Sequence, residues 1–134
     1  MIALRGVNPA VRVAAEAAIA AAEAFGISVR VTSAFRSMEE QKVLRDRFEA
    51  CVLAGRMGQG PDCLYPANRP GDSGHNFGLA FDSVVPAHSQ TAWNGIREAH
   101  GFKVLPNDII HAEVPDWRNH KSGRIHWTGT RSES

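Results

Sequence analysis

The 134-residue sequence has almost no charge imbalance: 15 Lys and Arg stand against 14 Asp and Glu, a net of +1. Such a balance provides neither a basic face for nucleic acid nor a charged tail, so no nucleic-acid partner is expected. Long apolar runs are missing too. The nearest, the Ala-rich stretch from Pro9 to Phe25, is broken by Arg12, Glu16 and Glu23, which excludes membrane insertion. Met1-Ile2-Ala3-Leu4-Arg5 lacks the basic start, apolar stretch and cleavage site of a secretory signal, so the expected place of synthesis is the cytoplasm. Cysteine is scarce. Cys51 and Cys63 are too few for a disulfide scaffold and lack close metal-ligand spacing; a single bridge competes with two ordinary thiols, and separation alone favours the thiols. Repeats and low-complexity segments are absent. The length suits one domain over 1–134, with a core over about 8–117, a polar tail over 118–134 and a monomeric state.

What is present reads as alternating helices and strands. Asn8-Pro9 is a helix start, a capping side chain followed by proline at the first helical position. Val11, Ala15, Ala18, Ala22 and Phe25 then form an apolar stripe, and Gly26 ends it. Residues 27–35 alternate as a strand. Ser37-Met38-Glu39-Glu40 is a capping box that opens a helix running to about Ala54, with Leu44, Phe48 and Cys51 as its buried stripe. Gln41 extends that stripe by one turn, a polar residue on an inward face. From Gly55 to Asp72 the chain is rich in Gly, Pro and Asn without a period, and loops of this length in small domains tend to be functional or mobile. Residues 79–85 read as a strand, about 89–100 as a helix with Trp93 in the core, and 102–105 and 109–114 as the last strands. This order predicts an α+β fold with a small, largely antiparallel sheet flanked by helices.

The chemistry concentrates in Ser73-Gly74-His75-Asn76-Phe77-Gly78-Leu79-Ala80-Phe81-Asp82 and, downstream, in Asp108-Ile109-Ile110-His111. Asp82 lies on a strand beside the small Ala80. His75 falls in the turn before it, where Gly74 and Gly78 give backbone freedom, and His111 on a later strand with Glu113 on the same face. Two imidazoles and a carboxylate brought together in this way leave a fourth coordination position for water, as a hydrolytic zinc site requires. Imidazole and carboxylate suit other transition metals as well. Taken singly, each residue reads more plainly as a satisfied histidine or a capping aspartate; the set, with its flanking Ser, Gly and Ala, favours a metal. Two carboxylates compete for the part of base. Glu113 also suits the orienting of the His111 imidazole, whereas Asp108 can reach the open position, and reach favours Asp108. His88, His100, His120 and His126 have no partner pattern. Trp117 and Trp127 suit either stacking on a glycan or covering the tail, with the tail favoured.

These motifs resemble those of the VanY-type D-Ala-D-Ala carboxypeptidases and L-alanyl-D-glutamate endolysin peptidases, whose zinc fold is shared with lysostaphin-type enzymes and hedgehog. The run from Ser73 to Asp82 is similar to the SxHxxGxAxD signature and Thr32-Ser33-Ala34-Phe35-Arg36-Ser37 to the SGYRS stretch. Asp108-Ile109-Ile110-His111 is similar to the (E/D)xxH motif, and Gln41 stands at the family's glutamine. The resemblance covers about Asn8 to Glu113. It implies a hedgehog/D-Ala-D-Ala-peptidase-like fold with Zn2+ on His75, Asp82 and His111, Asp108 as general base, and a peptidoglycan stem peptide as substrate. It further implies that Arg36 holds the substrate and the developing oxyanion, with Gln41 and Ser73 in the same pocket. Some positions depart from the pattern. Ala34 replaces a glycine, Phe35 a tyrosine whose hydroxyl is lost, and Leu105 a tryptophan found in many relatives, and the loop from Gly55 to Asp72 is long. Asp at 108 rather than Glu is closer to the endopeptidase branch.

The resulting expectation is a zinc metallopeptidase, first an L-alanyl-D-glutamate endopeptidase of endolysin type, as in a phage lysis enzyme that meets the cell wall after release. A D-Ala-D-Ala carboxypeptidase is the close alternative. The rival from another class is a non-catalytic wall-binding or assembly module that keeps its metal for structure. Asp108 argues against it, because a structural site closes its fourth position and needs no spare carboxylate.

Overall fold

The computed structural model describes residues 4–123 together with Trp127 and Gly129; His126 and the first three residues lie outside the described residues. Its main elements are α1 (Pro9–Ala24), β1 (Arg30–Ser33), α2 (Met38–Leu53), β2 (Ala80–Val84), α3 (Gln90–Ala99), β3 (Lys103–Leu105) and β4 (Asp108–Glu113). The strands form one sheet in the order β1-β2-β4-β3, antiparallel at every pairing. The expected α+β architecture is therefore the observed one.

Alanine decides how the core is built. Asn8 caps α1 by accepting the Ala10 amide, and the helix turns Val11, Ala14, Ala15, Ala18, Ile19 and Ala22 inward. Side chains this small let α1 lie close to α3 and to the back of the sheet, where Phe81, Trp93, Phe102 and Ala112 complete the cluster. Phe25 does not join the stripe. The helix ends at Ala24, so Phe25 leaves the helical path as its cap and is 81% exposed. The core also reaches beyond 8–117: Leu4 and Val7 are buried ahead of α1, and Trp127 packs on Phe102 while its indole N–H donates to the Gly101 carbonyl. No described helix is long and apolar enough to cross a membrane.

Helix α2 stands on the other side. Ser37 and Glu40 form the reciprocal capping box that starts it, yet α2 adds no residue to the main core. Only Gln41 and Cys51 are buried along it; Leu44 and Phe48 are half-buried and line a cleft. Cys51 is not a free thiol, contrary to the reading from separation: it is bonded to Cys63 across 5.7 Å between α-carbons. The bridge ties the end of α2 to a short turn at Pro61–Cys63, and the rest of the 55–72 loop is held by Gln41 Nε2 and Arg45 Nη1, which donate to the Asn68 and Ala67 carbonyls. A long loop is thus fastened at three points to one helix.

Gly78 closes the turn before β2 with φ 70°, in the left-handed region. A β-carbon there would stand 2.8 Å from both the Asn8 nitrogen and the Gly6 carbonyl oxygen. Gly78→Ala is expected to destabilise the fold by about 2 kcal/mol or more, because left-handed strain adds to a backbone clash that no side chain can relieve. Urea unfolding of the two proteins checks this, and an unchanged midpoint would contradict it.

Candidate active site

Strand register brings the first two predicted ligands together. Asp82 on β2 pairs directly with His111 on β4, so both side chains rise from the same face, opposite to the core-facing Phe81–Ala112 pair. His75 arrives from the short turn Gly74–Phe77 immediately before β2. Gly74 serves there by its size rather than its flexibility, since a β-carbon would come within 3.1 Å of that of Ala80. Ala80 in turn pairs with Glu113, and this small neighbour leaves room for the carboxylate.

The hydrogen bonds fix which imidazole atoms face inward. A carbonyl oxygen only accepts, so His75 Nδ1 donates to Ala34 at 2.5 Å and turns Nε2 toward Asp82. His111 Nε2 lies 2.7 Å from a Glu113 carboxylate oxygen, which leaves Nδ1 on the Asp82 side. Both inward nitrogens stand 3.1 Å from the same oxygen, Asp82 Oδ1. Three such atoms, all within 4.8 Å of one another, are a ligand set whose mutual repulsion only a proton or a cation relieves. The residues present therefore fit a divalent metal with nitrogen and oxygen preferences.

When no metal is bound, protons do this work. Burial lowers the His111 pKa, but the hydrogen bonds and charges of Asp82 and Glu113 outweigh it and raise it to about 9. Burial likewise acts to raise the pKa of Asp82, yet its bonds from His111 and His75 hold it well below the ordinary carboxylate range.

The triad opens on a cleft of about 800 Å³ that also takes in Arg36, Gln41, Ser73 and Asp108, so every predicted site residue lines one space. Arg36 is pinned there: Nη1 donates to Gln41 Oε1 at 3.0 Å and Nη2 to Ser33 Oγ at 3.1 Å. Gln41 spends both ends of its buried amide, on Arg36 and on the Asn68 carbonyl, and so acts on the cleft by fixing its neighbours. Ser73 caps the turn by accepting the His75 amide. Trp117 is largely buried against Phe77, with Arg118 and Lys121 over its ring, and it also lines the cleft. Sequence reasoning missed Asn76 and Arg97. Asn76 Nδ2 donates to the Arg36 carbonyl while the Arg36 amide donates to the His75 carbonyl, which locks the Arg36 and His75 backbones together. Its place inside the 73–82 run was the only available signal.

Residues 5–109 match the family profile of the VanY D-alanyl-D-alanine carboxypeptidases. The chain belongs to the VanY family. It is thereby a member of a peptidase family, and the match includes His75, Asp82 and Asp108 and ends before His111. No curated protein matches the chain. Solved structures share the fold at low identity. VanYB in complex with D-alanine-D-alanine is 17% identical with a TM-score of 0.66, covering 87% of this chain and 77% of that one. A Zn(II) complex of a variant of the vancomycin resistance D,D-pentapeptidase VanY is 18% identical with a TM-score of 0.64, covering 87% and 78%. DacB from Streptococcus pneumoniae D39 is 21% identical with a TM-score of 0.61, covering 89% and 72%.

The raised His111 pKa has a defined sign. A group lifted from 6.5 to about 9 on folding stabilises fully below pH 6.5 and loses that contribution as the pH climbs through 9. The metal-free VanY-family protein is expected to lose stability between these limits, and zinc uptake within them should release a proton. Thermal melts of chelated protein across the range check this; a melting temperature that rises from pH 6.5 to 9 contradicts it.

Proposed function

We propose that the chain is a zinc-dependent peptidoglycan peptidase that hydrolyses a stem-peptide bond, first the L-alanyl-D-glutamate bond. The observation that carries the reaction class is the convergence of His75 Nε2, His111 Nδ1 and Asp82 Oδ1 beside an open cleft. A bound zinc ion supplies Lewis-acid polarisation of a carbonyl and activation of water at neutral pH.

The chain's own groups complete the reaction. Glu113 is committed to His111 Nε2, whereas the Asp108 side chain lines the cleft with no hydrogen bond or ion pair among the described residues. That supports Asp108 as the base that takes a proton from the attacking water and returns it to the leaving amine. Arg36, its guanidinium held in place by Gln41 and Ser33, binds the substrate carbonyl or carboxylate and stabilises the oxyanion as it forms. Ser73 holds the His75 turn at the wall of the cleft.

One feature supports cleavage inside the stem peptide: the aspartate form of the Asp108–His111 motif. The second reading, a D-Ala-D-Ala carboxypeptidase, is favoured by the family profile and by the dipeptide complex of VanYB.

Mass spectrometry of purified peptidoglycan, after incubation with zinc-loaded or chelated protein, separates them. A new free amine on D-Glu is the expected product, and loss of terminal D-Ala marks the second reading. No zinc-dependent product from several wall types would overturn both. Among variants, Asp108→Ala should keep its zinc and lose about 10²- to 10⁴-fold in kcat. Glu113→Ala should instead weaken zinc binding by about 10- to 100-fold. Full turnover by Asp108→Ala would overturn that role for Asp108 and make Glu113 the next carboxylate to test.

A further inference from the structure

In a regular strand, side chains three residues apart point to opposite faces. Asp108 and His111 are three apart on β4, yet both line the cleft. The pairing of β4 with β3 explains how. Val104 stands opposite Ala112, but the next residue, Leu105, stands opposite Asp108, so Ile109, Ile110 and His111 bulge out with no counterpart on β3. A bulge of this kind re-aims side chains and leaves main-chain groups without ladder partners.

Those groups are met from behind. Arg97 on α3 is fully buried and makes no ion pair among the described residues. Its Nη2 donates to the Ile109 carbonyl at 2.7 Å and to Asn94 Oδ1 at 2.5 Å, and its Nη1 lies 3.4 Å from the carbonyls of both Ile110 and His111. Trp93, anchored by its own bond to Ser83 next to Asp82, backs the guanidinium at 5.3 Å. A buried charge is costly, and an apolar side chain would fill the space as well, so the forked donor set is the property in use.

We propose that Arg97 is a positioning residue for the reaction: by taking the carbonyls of Ile109, Ile110 and His111 it holds the bulge that turns Asp108 to the face of His111. The role of Asp108 rests on the function proposed above; the effect on His111 does not. Arg97→Met keeps the volume and removes the donors, and Arg97→Lys keeps a charge without the fork. Each variant is examined below its melting temperature for zinc affinity by chelator competition, for the visible spectrum of the Co(II) form, and for kcat and KM on peptidoglycan peptides.

The expected result is a loss of about 10²-fold in kcat with KM little changed, the scale set by a reacting group displaced by about 1 Å. Zinc affinity should fall by about 10-fold with an altered Co(II) spectrum, as on loss of an outer-shell contact, and Arg97→Lys should lie between Arg97→Met and the parent. A folded Arg97→Met with parental zinc affinity, Co(II) spectrum and kcat overturns the proposal, and if Arg97→Met does not fold, the same parental values in Arg97→Lys overturn it. An inactive parent overturns the proposed function alone, because zinc affinity and the Co(II) spectrum still decide the part of Arg97.

Discussion

A single carboxylate oxygen, Asp82 Oδ1, receives an imidazole nitrogen from each side, and the surrounding structure is arranged so that it does. Bringing three electron-rich atoms together opposes folding unless something positive joins them, so each must be held from outside. The Ala34 carbonyl holds one ring and the Glu113 carboxylate the other, while the β2–β4 register sets Asp82 across from His111. Even the small residues follow from this demand: Gly74 and Ala80 occupy the volume that larger side chains would deny to the turn and to Glu113.

The sheet that carries the triad divides the molecule by chemistry. Behind it, α1 and α3 pack alanines against aromatic rings and exclude water. In front, α2 and the disulfide-tethered loop leave a cleft in place of a second core. Arg97 is the exception to that division, a cation on the dry side whose hydrogen bonds are directed through the strand to the wet one. The polar chain from Ser33 and Gln41 to Arg36 plays the corresponding part in front, where the guanidinium is fixed but still half-exposed.

Much of this was legible in the sequence, and the reason is range. Caps at Asn8 and Ser37 are written within three residues, and helix and strand periods within a dozen, so element order came through and most boundaries lay close. The grouping of His75, Asp82 and His111 was legible because His75 and Asp82 flank one turn and strand and His111 falls on a later strand, a set that the family resemblance then reinforced. What failed depended on distant neighbours. Nothing near Cys51 says that Cys63 comes back to it, and nothing near His75 points to a carbonyl 41 residues earlier. Arg97 stands four residues after Trp93 on the same helix face, but what its guanidinium meets there is decided by the distant bulge of β4. Phe25 failed for a local reason: the stripe was counted one residue past the helix end.

The two imidazoles differ in what lies behind them. The partner of His75 is a main-chain carbonyl, which every residue at position 34 provides, so point mutation leaves that bond's chemistry untouched. The partner of His111 is the side chain of Glu113, which a single codon change converts to an amide, a shorter acid or nothing. One imidazole is thus insulated from sequence drift, while the other can be made more or less basic. Evolutionary adjustment of metal preference or of working pH in this lineage has position 113 open to it and position 34 closed.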